Sequence, residues 1–283
     1  MKSKNMISLL MVVLVLMSCG GSDDTPSPQA TIDPGNDPNF TIVSHTDAGM
    51  SAFNRKVVVF GIDIYAVAAI EDIKLLHAAN LMAQYLDNDE DGTVDNPQVL
   101  NAMQNERAFM VMWKSENDLE NLNPPQGRVG QDLGNDETRP QFHTNKTGEF
   151  DAALEEVWHI ISHAGYANAY PEVFGEGAGT TLSNAMDLAR GGRHTSIPNP
   201  YPAEAWYTYD DRTCDYECQS TEYFYWALTS LLGAQENRLD EIGHEWRLNT
   251  ADKLKEGDPA MYTLLTNPAY TLPTQLPDGT YKR

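Results

Sequence analysis

The chain has 283 residues, with 41 Asp and Glu against 19 Lys and Arg, for a formal net charge of −22. Such a surface repels nucleic acid and anionic lipid and attracts divalent cations, which excludes nucleic-acid binding as a function class. The length beyond residue 40 fits one sizeable domain, and no internal repeat is visible.

In chain order, Lys2 and Lys4 precede an apolar run from Met6 to Met17 that closes on Ser18-Cys19-Gly20. A charged start, a short apolar stretch and small residues at the break are the marks of an export signal, and the run falls short of the roughly 20 apolar residues of a spanning helix. Val15-Leu16-Met17-Ser18-Cys19 resembles a degenerate bacterial lipobox, with Met17 where a small residue is more usual. Gly20-Gly21-Ser22-Asp23-Asp24 resembles the surface-export tag of Bacteroidota lipoproteins. The resemblance implies a signal peptide over 1–18, acylation of Cys19, and a protein held by its lipid at the outer membrane or cell surface. A plain secretory signal is the alternative. Residues 19–39 are rich in Pro, Gly, Asp, Ser and Thr and predict a disordered tether; 40–283 is then the globular domain.

Within that domain, 56–62 and 107–113 are short β-branched or aromatic runs that predict strands. Ile70 to Leu86 predicts an amphipathic helix through Ile73, Leu76, Leu81 and Tyr85. After it, the loop 87–98 places oxygen ligands at alternate positions: Asp87, Asp89, Asp91, the Thr93 carbonyl, and Asp95 directly or through water. Gly92 supplies the sharp turn, Val94 the apolar eighth position, and Pro97 suits the first turn of a following helix. This loop resembles the calcium loop of EF-hand proteins, which implies a bound calcium. Gln98 stands where such loops carry a bidentate Glu, so the resemblance implies a weaker site or a further acid to complete it. A metal-free turn rich in Asp and Gly is the alternative.

Helices are expected over 150–165, 180–190 and 221–232, each closed by glycine, followed by short helices and an extended Pro-rich tail. The fold class is therefore α+β, helix-dominated, with one small sheet. Cys214 and Cys218 are close enough in sequence to form a local disulfide that fixes the loop 214–218, with thiol metal binding as the runner-up.

The candidate chemistry lies in the helix 150–165. A helix there puts Glu155, Glu156, His159 and His163 on one stripe, and two imidazoles one turn apart are the spacing by which a helix presents two nitrogens to one ion. The pair resembles the HxxxH helix of zincin metallopeptidases, in degenerate form, and implies a zinc site. Zincins carry Glu directly after the first His, and here that residue is Ile160, which cannot take a proton. Glu155 and Glu156 are the candidates for that work, or for ligation, or for holding a ring N–H. Glu222, expected in the first turn of an aromatic helix, is the candidate third ligand, with Glu176 and Asp187 as alternatives. An ion-paired Glu-His core stripe is the structural alternative. His143, His194 and His244 look isolated, and the aromatic clusters 201–209 and 223–226 suit either a substrate cleft or core packing. Two functions follow as expectations: a cell-surface zinc-dependent hydrolase with a structural calcium, or a non-catalytic, calcium-stabilised lipoprotein that binds a glycan or protein partner.

Overall fold

The computed structural model describes residues 39–282, so the signal peptide, Cys19 and the tether up to residue 38 lie outside the described residues. Asn39, the last residue assigned to the tether, is buried and donates to the Tyr281 carbonyl at 2.6 Å, so the packed domain begins there.

The architecture is α+β with a single five-stranded mixed sheet. Val43–Ser44 (β1), Arg55–Val59 (β2) and Ile62–Ala66 (β3) pair antiparallel, and Phe109–Trp113 (β4) and Gly130–Gly134 (β5) add on in parallel. The run 56–62 is thus not one strand. Phe60 and Gly61 adopt φ of 47° and 84°, a two-residue turn that folds it into a hairpin, because glycine accepts the left-handed region without a Cβ clash. β5 was not foreseen, since Gly-Gln-Asp-Leu-Gly has neither β-branching nor clean alternation.

Asp72–Leu86 (α1) and Pro97–Asn105 (α2) form the crossover between β3 and β4. Register sets the two faces of the sheet: Val57 opposes Ile64 and Val59 opposes Ile62, all buried on the side where α1 packs. Lys56 opposes Tyr65 and Val58 opposes Asp63 on the outer side. α1 is buried along most of its length rather than along a stripe; Ile73, expected on its apolar face, is 66% exposed, while His77, Asn80 and Gln84 point inward and find partners. Burial of these polar groups is tolerable because each is hydrogen-bonded.

Ala153–Ile160 (α3) packs on α1 and β5. It does not stop at Gly165: the chain widens into a π-helical stretch, Ile161–Tyr166, and returns to helix at Ala167–Ala169 (α4) and Pro171–Phe174 (α5). Gly165 serves close approach rather than termination, since a Cβ there would lie 2.7 Å from Val99 Cγ1 of α2. Thr181–Ala189 (α6) follows, capped by the Thr180 side chain. Tyr216–Leu231 (α7) starts earlier than expected, because the Asp215 carboxylate accepts the Cys218 N–H and caps it there. Cys214 and Cys218 are joined, with Cα atoms 5.3 Å apart. Leu239–Ile242 (α8), Ala251–Gly257 (α9) and Pro259–Leu265 (α10) precede the tail. Phe224, Tyr223, Tyr225 and Trp226 of α7 are core, as are Tyr207 and Trp246, so these aromatics pack rather than line a cleft. Among the described residues no helix is long and apolar enough to cross a membrane.

Candidate metal centre

Asp151 lies two residues before α3, and its carboxylate accepts the Ala153 N–H at 3.3 Å. Glu155 and Glu156 fall in the first turn, where the helix dipole favours acids, and His159 falls in the last. Glu222 reaches the same point from the second turn of α7, not the first, since α7 starts at Tyr216. One ligand atom each from Glu155, His159 and Glu222 lie within 4.8 Å of one another.

The decisive distances are those around the His159 ring. Nε2 stands 3.7 Å from Glu222 Oε2, and neither buried atom has a hydrogen-bond partner. That separation is too long for a hydrogen bond, yet it is near the roughly 3.3 Å between two ligands that sit about 2.0 Å from one zinc in tetrahedral geometry. Buried polar atoms without partners are uncommon in folded proteins, and an ion between these two would satisfy both. On the other side of the ring, Nδ1 lies 3.4 Å from Glu156 Oε2, and Glu156 in turn accepts from Gln131 of β5 at 2.5 Å. A carboxylate behind the far ring nitrogen is the arrangement that fixes a metal-binding histidine with Nε2 free.

Electrostatics agree with an uncompensated acid cluster. Burial pushes the Glu222 carboxyl up to about 8, opposed by His159 and reinforced by Glu155 and Glu156. Burial and the neighbouring Glu156 push Glu155 up to about 7. Glu156 is raised as well, first by burial, then by Asp132 and Glu137. Burial is the largest cause of all three upward shifts and the mutual repulsion of the carboxylates adds to it, a condition that a divalent ion would relieve. Tyr209 joins the edge of this group, its phenol pushed up by burial and then by Glu222 and Glu155. Nothing in the sequence distinguishes Tyr209 from the other tyrosines of 201–209.

In comparisons with protein families, with curated proteins and with solved structures, nothing matches this chain.

His163, expected to share an ion with His159, turns elsewhere. Its Nδ1 lies 2.8 and 2.7 Å from the two oxygens of Glu176, which Thr221 also holds at 2.7 Å, and it belongs to no metal-type group among the described residues. The π-helical stretch intervenes: five-residue hydrogen bonding changes the angle between successive side chains, so the α-helical spacing no longer applies beyond Ile160. Of the alternative third ligands, Glu176 is taken by His163, and Asp187 accepts from the Tyr216 hydroxyl at 2.9 Å.

The loop 87–98 brings Asp87, Asp89 and Asp95 within 4.8 Å of one another. Backbone N–H groups of the loop donate inward, from Gly92 and Asp91 to Asp87, from Asp91 to Asp89 and from Asn88 to Asp95. Asp91 stands outside the group, its carboxylate turned to the Thr93 N–H at 2.8 Å, and Gln98 is exposed on the first turn of α2. Burial raises the Asp87 carboxyl to about 6. The C-terminal tail closes over this loop: the Tyr281 hydroxyl donates to Asp87, and Asn88 accepts from the Thr274 and Gln275 N–H groups at 2.8 and 2.9 Å.

His143 is not isolated. His77 Nε2 and His143 Nε2 lie 2.6 and 2.8 Å from the same Asp151 oxygen, a third histidine–carboxylate group assembled from residues 74 and 8 positions away. His244 is exposed beside Glu245, and His194 is apart from all three groups.

Proposed function

We propose that this protein is a cell-surface, metal-dependent hydrolase, held to the membrane by a lipid on Cys19 and carrying zinc on Glu155, His159 and Glu222. The observation that carries the reading is the pair of buried, partnerless atoms, His159 Nε2 and Glu222 Oε2, facing each other at 3.7 Å. One imidazole and two carboxylates suit zinc, and three protein ligands are the number that leaves a position for substrate. The ion supplies Lewis acidity toward a carbonyl or phosphoryl oxygen. Glu156 orients His159 through Nδ1, and Glu155, the most exposed of the set, would serve as third ligand or as proton acceptor. Calcium in the loop 87–98 is structural on this reading, because the loop is tied to the tail and not to the zinc group.

A second reading, a non-catalytic calcium-stabilised lipoprotein with a glycan or protein partner, is favoured by Ile160 at the zincin base position. Metal analysis of untagged protein separates the two. Stoichiometric zinc that disappears in Glu222→Gln, together with a hydrolytic activity lost on chelation, supports the hydrolase; calcium alone sinks it.

A further inference from the structure

The outer face of the sheet carries an open cavity of about 490 Å³ lined by none of the residues of the three metal-type groups. Lys56 of β2, Asp63 and Tyr65 of β3, Arg107 just before β4, Arg128 just before β5 and Asp47 from the first loop line it. Its acids are already committed. Lys56 Nζ lies 2.6 Å from Asp47 and 3.0 Å from Asp63, and the Tyr65 hydroxyl contacts both carboxylates at 2.8 Å. Arg128 adds a contact to Asp63 at 3.7 Å and stacks on the Phe109 ring at 4.4 Å.

Arg107 differs from these. It is exposed, and its guanidinium contacts the Gln126 carbonyl at 3.5 Å, the outer limit of a hydrogen bond. The other cations of the cavity have carboxylates; Arg107 has a carbonyl, in a chain of net charge −22. The backbone sharpens the point. α2 ends with the Ala108 N–H on the Met103 carbonyl at 2.9 Å and the Arg107 N–H on the Gln104 carbonyl at 3.0 Å, the two bonds of a Schellman cap. Arg107 occupies the left-handed position of that cap, at φ 52°, where glycine is favoured and a side chain is strained. Strain kept at a residue lining a cavity suggests that the side chain is needed there.

We propose that this cavity binds a small polar molecule through a carboxylate or phosphate group seated on Arg107, with Lys56 and Arg128 flanking it. A guanidinium fork matches the paired oxygens of either anion. The two acids beside the cations disfavour a highly charged polyanion and favour a singly anionic group. The site is independent of the zinc reading.

Calorimetric titration of the purified mature chain with inorganic phosphate, glucuronate and, as uncharged control, glucose tests this. Saturable binding of phosphate or glucuronate, absent for glucose and weakened by salt, is expected, and the better anion identifies the source of the charge. Arg107→Gly should lower that affinity at least about ten-fold, the scale of one charged hydrogen bond, while the melting temperature holds or rises because glycine suits the left-handed cap. Arg107→Lys should fall between the two. No saturable binding by the natural chain, or unchanged binding in Arg107→Gly, overturns the proposal. So does loss of anion binding in Glu222→Gln, which would place the anion at the metal centre instead.

Discussion

Two histidine–carboxylate groups flank α3, and they are built from the same residue types to opposite ends. In the first, Asp151 is fully buried, gives one oxygen to the Arg139 and Ala153 N–H groups and the other to His77 and His143. Burial raises its carboxyl, but the hydrogen bonds from His143 and His77 outweigh this and hold it below the usual carboxylate range. In the second, His159 faces Glu222 at 3.7 Å without a shared proton, and burial raises Glu222 and Glu155. A closed group consumes its own bonding capacity and stabilises the fold. An open one stores unmet capacity, which a cation can use. Ligand type alone would have ranked the first group, with two imidazoles, as the better zinc site; distance reverses the order.

The largest effect expected from this contrast is at Asp151. Asp151→Ala strands two buried imidazoles and two backbone donors, and should cost about 3–5 kcal/mol in chemical denaturation. Its metal content, measured on the folded fraction, should be unchanged. Equal zinc loss in Asp151→Ala would mean that the closed group is not closed.

Glu222→Gln should act in the reverse sense. It removes zinc, yet in metal-stripped protein at pH 8 it should stabilise by about 1 kcal/mol or more, because it replaces a carboxylate whose ionisation is disfavoured. The sign follows from linkage: Glu155 and Glu222 bind protons more tightly folded than unfolded, so stability of the stripped protein falls as pH rises from the unfolded value near 4.5 through about 7 to 8. Asp151 works oppositely, its contribution being present above its unfolded value near 3.8 and lost as pH falls further. Thermal melts of stripped protein across this range should show the alkaline decline, and Glu222→Gln should flatten it. A decline of the same slope in both proteins would contradict the assignment.

The smallest effect belongs to His163. Its ring is partly exposed and paired with Glu176, so His163→Ala should cost less than about 1 kcal/mol and leave zinc bound. Zinc loss in that variant would restore the two-histidine site that the spacing first suggested.

What could be read from the sequence was what local physics fixes. The grouping of Asp87, Asp89 and Asp95, the start of α2 at Pro97, the cysteine pair and the α+β class with its small sheet all depend on residues a few positions apart. Glu222 was expected in the first turn of its helix; α7 starts earlier, at Tyr216, and Glu222 faces His159 from the second turn. The hairpin at Phe60–Gly61 was missed because a glycine inside an apolar run does not announce its φ. The His163 assignment failed because no sequence signal marks where a helix widens to admit Gly165 against α2.

By itself, then, the sequence determined which groups with metal chemistry exist and on which elements they sit. Only tertiary structure decided which were spent and which left open. His77 reaches Asp151 across 74 residues and His159 meets Glu222 across helices, and the ångström that separates a shared proton from a gap is set by packing, which no spacing along the chain encodes.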